Sequence, residues 1–241
     1  MSIKSFSEKA IKLGLHRSER NLNTYLELLF KGIQLEGKTF LDVGGGAGTF
    51  THLASHMGAT KAVCLEPILD GGTEGITDKF ESIKTSMNSP GVVELDQRTF
   101  QDYDGEPFDI IFLNNSINHL DEPACVELTT SESAQKEYIK IFKKMYDTVN
   151  PGGIMIISDC GNRNFFGDLG LTNPFMKTIE WEKHQQPKVW AKMLSQAGFK
   201  TSKIRWNIFN SLGKPGQILL GYSLPSYFTI SHFTLYVKKP L

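Results

Sequence analysis

Cysteine is scarce in this chain. Three residues, Cys64, Cys125 and Cys160, are spread over 241 positions with no C-x-x-C pair. An odd, scattered set excludes a disulfide framework and a structural zinc site, and it fits a reducing, cytoplasmic setting. Long apolar runs are also missing. Nothing approaches the roughly 18–20 residues of a membrane span. The opening "MSIKSFSEKAIKLGLHRSER" lacks the apolar core of about 7–15 residues that marks a secretory signal. Charge of one sign is absent too: Lys+Arg and Asp+Glu both number 26, for a formal net charge of zero. Phosphate-backbone binders carry a basic surplus, so the balance argues against nucleic acid as the main partner. The expected partners are a small molecule and, at most, a second copy of the chain, as monomer or homodimer. Neither nucleic acid nor membrane is expected.

What is present is an alternation of buried strands and amphipathic helices. "KTFLDV", "KAVCLEP" (61–67), "GVVELDQ" (91–97), "FDIIFLNN" (108–115) and "GGIMIISD" (152–159) read as strands. Several are apolar throughout rather than alternating, as in a parallel sheet covered on both faces. Residues 19–34 place Leu22, Tyr25, Leu26, Leu29 and Phe30 at helical spacing. "SAQKEYIKIFKKMYDTVN" carries one apolar stripe and stops at "NPGG", and "PKVWAKMLSQAGF" starts on Pro187 and stops at Gly198. The pattern predicts an α/β, doubly wound sheet. Residues 1–241 read as one domain with an N-terminal helical segment over 1–35. Residues 160–186 and 208–229 are too long for plain connections, and segments of that length are commonly functional. A short hairpin is expected within 208–229.

Four glycines crowd into "LDVGGGAGTF", directly behind the first strand and ahead of a helix over "TFTHLASHMG". Bare backbone there permits a sharp turn and close approach of a ligand. The dinucleotide fingerprint is G-x-G-x-x-G; here Gly44, Gly46 and Gly48 bring the third glycine one residue nearer, and Asp42 precedes them. Glu66 ends the second strand, where an acid can accept both hydroxyls of a ribose.

The stretch resembles motif I of class I methyltransferases that use S-adenosylmethionine. "TFQDYDGEPFDIIFLNN" resembles the segment of these enzymes that flanks the adenine and leads into strand four, and "VNPGGIMIISD" resembles their fifth-strand motif. The resemblance covers about residues 38–207. It implies a mostly parallel, seven-stranded Rossmann-like sheet with helices on both faces. It also implies S-adenosyl-L-methionine as methyl donor and S-adenosyl-L-homocysteine as product. The donor-binding residues it implies are Asp42, Gly44, Gly46, Gly48, Glu66, Pro67, Thr99, Phe100, Asn114 and Asn115. The family often has Asp where Thr99 or Phe100 stands here, so the adenine contact falls on one of these or on Gln101.

Methyl transfer to an alcohol or ammonium needs a base. His119, after strand four, is the first candidate and Asp159, at the end of strand five, the second; packing is the competing reading of His119 and strand-end capping that of Asp159. The 160–186 insertion is expected to roof the acceptor pocket with Asn162, Arg163, Phe165, Trp181 and His184. The expected activity is transfer to an oxygen or nitrogen of a small polar metabolite. A sugar or glycan hydroxyl, a non-catalytic donor-binding module and, less favoured, a nicotinamide oxidoreductase are the other readings. No metal site is expected.

Overall fold

The computed structural model describes residues 2–67, 75–88 and 91–241. Seven strands, β1 (Thr39–Val43), β2 (Lys61–Leu65), β3 (Val92–Asp96), β4 (Phe108–Asn114), β5 (Val149–Cys160), β6 (Lys200–Asn207) and β7 (His232–Lys238), form one sheet in the order β3-β2-β1-β4-β5-β7-β6. The chain divides into two compact units, one ending at Leu113 and one beginning at Asn114.

The first unit holds α1 (Ile3–Lys12), α2 (Glu19–Leu29), β1 (Thr39–Val43), α3 (Thr49–His56), β2 (Lys61–Leu65), α4 (Ile76–Met87) and β3 (Val92–Asp96), and it leads into β4 (Phe108–Asn114). Strand β1 lies between β2 and β4, with β3 outside β2, and these pairings are parallel. Phe40, Leu41, Ala62, Cys64, Ile111, Phe112 and Leu113 are wholly buried, which is why these strands read as apolar on both faces. Phe30, Phe40 and Phe112 pack with centroids 5.8–6.3 Å apart. Phe50 adds its ring to Phe112 at 4.7 Å, and Tyr25 of α2 meets Phe50 edge-on at 6.2 Å.

The second unit holds α5 (Glu122–Glu127), α6 (Glu132–Thr148), β5 (Val149–Cys160), α7 (Phe165–Asp168), α8 (Pro187–Gln196), β6 (Lys200–Asn207), α9 (Gly213–Leu220), α10 (Ser223–Tyr227) and β7 (His232–Lys238). Strand β7 runs antiparallel to both β5 and β6, so the sheet is mixed at this edge. Ser131 caps α6 by accepting from Ala134 N–H, and α6 and α8 join through a buried aromatic group of Tyr138, Phe142 and Trp190.

The five expected strands and the helices over 19–34, 49–58, "SAQKEYIKIFKKMYDTVN" and "PKVWAKMLSQAGF" are all found, with shifted ends. The hairpin expected within 208–229 is not. That segment forms a short 3-10 turn (Asn210–Leu212), then α9 and α10. Pro215 and Pro225 each stand in the first turn of a helix, where a missing N–H costs nothing.

Candidate active site

In the first unit, the sheet is laced together just beyond its strand ends. Gly44 N–H donates to the Leu65 carbonyl at 2.8 Å, and Glu66 N–H donates to the Asp96 carbonyl at 2.9 Å. These bonds fix the glycine loop beside Glu66. The Glu66 side chain then turns onto the loop: its Oε2 accepts from Gly46 N–H at 2.8 Å. Gly44, Gly46 and Gly48 all have positive φ, at 70°, 55° and 75°, the left-handed region where other residues pay a steric penalty.

The loop has one packed side and one open side. A Cβ on Gly45 would lie 2.7 Å from the Asp42 carboxylate and the Cys64 sulfur, and one on Gly48 would lie 2.5 Å from the Phe80 ring. A Cβ on Gly46 would meet nothing within 4 Å. Bare main chain facing open space, with a carboxylate at its margin, suits a nucleoside ligand. The residues present therefore fit S-adenosylmethionine.

Asp42 is fully buried beneath the loop. Its Oδ2 accepts from Thr51 N–H at 3.1 Å and from Thr51 Oγ1 at 2.9 Å, so a β1 side chain caps the first turn of α3 from a distance. Its Oδ1 has no partner among the described residues. Burial pushes the carboxyl up to about 7, against the pull of the Thr51 bonds, with the Glu66 charge adding to the rise.

The remaining expected donor residues sit as follows. Pro67 ends the stretch that carries Glu66. Thr99 opens a turn, its Oγ1 donating to Asp102 Oδ2 at 2.6 Å. Phe100 is buried in the core. Beside them Arg98 forks onto Asp96, with Nη2 at 2.7 Å from Oδ2. Asn114 closes β4. Asn115 follows in the left-handed region at φ 52°, its N–H donating to the Ser158 carbonyl at 2.8 Å. Asparagine is among the few side chains that tolerate this conformation.

The two candidate bases of the second unit differ in surroundings. The turn bearing His119 is held by the Tyr138 hydroxyl, which donates to the Ile117 carbonyl at 3.1 Å. The His119 side chain itself is 57% exposed and paired with Glu122. Glu122 also takes Lys183 at 3.3 Å, and the His119 bond leads in holding its carboxyl below the usual range. Asp159 is wholly buried. Its Oδ1 accepts from Cys160 N–H at 2.7 Å and lies 3.1 Å from Nδ1 of His184, itself nearly buried. Asp159 Oδ2 has no partner among the described residues. A carboxylate beside Nδ1 fixes the proton there and leaves Nε2 as the acceptor nitrogen. The structure thus joins two residues the sequence had given separate roles. His232 lies in the same electrostatic surroundings, and burial pushes it down to about 4.

Of the roof residues, Asn162 accepts from Gln186 Nε2 at 3.0 Å. Arg163 forks onto Asp168, with Nη2 at 2.6 Å, and stays exposed. Phe165 stacks on Phe228 at 4.9 Å. Trp181 begins a short 3-10 turn, anchored where the Cys125 carbonyl accepts from Gln185 Nε2 at 2.7 Å. Gln186, Trp206, Leu224, Tyr227 and Ser231, which join Arg163 around one cavity, escaped the sequence reading, because four separate segments supply them.

The comparisons with known proteins agree with this geometry. A methyltransferase-domain family model matches residues 14–204, and the chain belongs to that family, whose methyl donor is S-adenosylmethionine. Among solved structures it is similar to a SAM dependent methyltransferase from Aquifex aeolicus, at 16% identity and a TM-score of 0.58, covering 88% of each chain. It is also similar to an S-adenosylmethionine dependent methyltransferase from Mesorhizobium loti, at 13% identity and a TM-score of 0.59, covering 90% of this chain and 98% of that one. At these identities the likeness speaks to the fold. No curated protein matches the sequence. Among the described residues no helix is long and apolar enough to cross a membrane, and no cluster of His, Cys, Asp and Glu is arranged to hold a metal ion.

Proposed function

We propose that the chain moves a methyl group from S-adenosylmethionine to an oxygen or nitrogen of a small acceptor carrying a polar group. The observation that carries this reading is the Glu66–Gly46 bond beside the open face of the loop. Glu66 is assigned the ribose hydroxyls, the Gly44–Gly48 main chain the donor's contact surface, and Thr99, Phe100, Asn114 and Asn115 its margins. Asp42, buried beneath the loop, holds it in place by capping α3 through Thr51. The donor supplies an electrophilic sulfonium methyl; the protein supplies position and a base.

For the base we propose His184 in place of His119. The Asp159 carboxylate orients the ring, and near-complete burial keeps water off it, whereas His119 is committed to Glu122 at the surface. Asp159 then acts as a positioning residue, and His119 helps shape the turn after β4. The family model spans the boundary between the two units, which supports one methyltransferase domain with 160–186 as its roof. Three free, buried cysteines support a reducing, cytoplasmic setting, and the neutral charge supports a metabolite over a nucleic acid.

The test is transfer of label from methyl-labelled S-adenosylmethionine to a panel of hydroxylated and amino metabolites. Labelled product together with S-adenosylhomocysteine is expected. If the donor binds and label reaches no acceptor, a non-catalytic binding role replaces this one.

A further inference from the structure

The segment expected to roof the acceptor, 160–186, is stitched to the stretch just before β7. Gly161 N–H donates to the Ser231 carbonyl at 2.7 Å, Ser231 Oγ donates to the Arg163 carbonyl at 2.6 Å, and Asn173 Nδ2 donates to the Thr229 carbonyl at 2.8 Å. Between them lies a cavity of about 410 Å³, lined among others by Arg163, Gln186, Trp206, Leu224, Tyr227 and Ser231. That is the size of a site for a small organic molecule.

The walls are of two kinds. One side is polar but electrically settled: Asp168 Oδ2 takes Arg163 Nη2 at 2.6 Å and the Tyr227 hydroxyl at 2.9 Å. The guanidinium charge is thus already met, and a neutral hydrogen-bonding head suits this wall better than an anion. The other side, Trp206 and Leu224, is apolar and continues outward. From Leu224 back along the chain, Tyr222, Leu219 and Ile218 stand 63%, 73% and 71% exposed. A run of large apolar side chains left in water marks a binding surface. Leu224, itself 65% exposed, lines the cavity and ends this run, and the cavity's polar groups then select the occupant.

We propose that this cavity and the α9–α10 face bind one amphiphilic molecule, its neutral hydroxylated head among Gln186, Arg163 and Tyr227 and its apolar chain along Leu224, Leu219 and Ile218. That this molecule is the methyl acceptor rests on the proposed function; that the site takes an amphiphile does not.

The test titrates the full chain with 1-decanoylglycerol, kept below its aggregation concentration, and with glycerol as the head alone. Tryptophan emission and calorimetry are read together. A saturable change with decanoylglycerol and none with glycerol is expected. The emission change disappears in Trp206→Phe while the heat remains. The double variant Leu219→Ser/Leu224→Ser, at positions already facing solvent, weakens binding at least tenfold. Absence of saturable binding, or unchanged affinity in the double variant, overturns the proposal. So does a wild-type dimer in sedimentation that the double variant splits, since a second copy would then cover the face. The same samples receive S-adenosylmethionine. Donor heat without amphiphile binding sinks this inference alone; amphiphile binding without donor heat supports it and sinks the methyltransferase reading.

Discussion

Glu66 and Gly46, twenty residues apart in sequence, meet through a 2.8 Å bond from the glycine N–H to the carboxylate. The bond fixes the carboxylate at the edge of the loop while the outer face of Gly46 stays open. Glu66→Ala removes both the loop's tether and the proposed acceptor for the ribose hydroxyls. Charge-assisted hydrogen bonds contribute about 1.5–3 kcal/mol each, so donor affinity measured by calorimetry falls roughly 10- to 100-fold. Glu66→Gln can still accept from Gly46, so its loss is smaller.

The three central glycines are expected to separate stability from binding. Gly48→Ala forces a side chain into the left-handed region and against Phe80. Strain and overpacking together cost about 2–5 kcal/mol, read as a fall in Tm on the order of 10 °C. Gly45→Ala clashes with Asp42 and Cys64 without the left-handed strain. Gly46→Ala meets no neighbour, so it loses only about 1–2 kcal/mol of conformational energy. It still lowers donor affinity at least tenfold, because its methyl points into the space assigned to the ligand. A Gly46→Ala variant that binds the donor normally would place the ligand elsewhere.

Asp42 makes stability depend on pH in an unusual direction. Its carboxyl is near 7 in the folded chain, against 3.8 as the ordinary value. Between about pH 4 and pH 7 the folded chain keeps a proton that the unfolded chain has lost. Stability therefore falls as pH rises across that window, by up to about 4 kcal/mol, and levels off above it. His52 and His232, both pushed down to about 4 by burial, act in the opposite sense up to their ordinary value of 6.5. The difference between wild type and Asp42→Asn in chemical unfolding from pH 4.5 to 8 isolates the carboxyl. Asp42→Asn gains relative to wild type as pH rises; a constant difference would show that Asp42 is ionised throughout.

His184 and Asp159 should fail together in turnover and not in donor binding. Removing a general base lowers kcat by roughly 10²–10⁴-fold. His184→Gln is expected in that range with donor affinity within a factor of two. Asp159→Asn, which loses the carboxylate that fixes the Nδ1 proton, lowers kcat alongside it. His119→Gln has a small effect. If His119→Gln abolishes turnover while His184→Gln does not, the two histidines exchange roles.

Much of this was legible in the sequence where neighbours in space are also neighbours in chain. Strand β1, the glycine loop and α3 form one continuous stretch, and Glu66 follows the very next strand, so the arrangement proposed as the donor's cradle could be read directly. The Asp159–His184 contact spans 25 residues and an irregular segment, and no periodicity encodes it. Asp42 reads as an acid at a strand end; only the fold reveals that it caps α3 through Thr51. The cavity draws on residues 163, 186, 206, 224, 227 and 231, which no local pattern unites. Where a hairpin was expected, α9 and α10 each carry a proline in the first turn, a position proline suits although it breaks a helix interior.

The most direct measurement is calorimetry of the wild-type chain with S-adenosylmethionine, S-adenosylhomocysteine and reduced nicotinamide cofactor, repeated on Glu66→Ala. Saturable heat with both adenosyl compounds, sharply weakened by Glu66→Ala, and none with the nicotinamide is the expected result. Absence of binding by either adenosyl compound, or binding indifferent to Glu66, would contradict the assignment of the glycine loop as the donor's cradle.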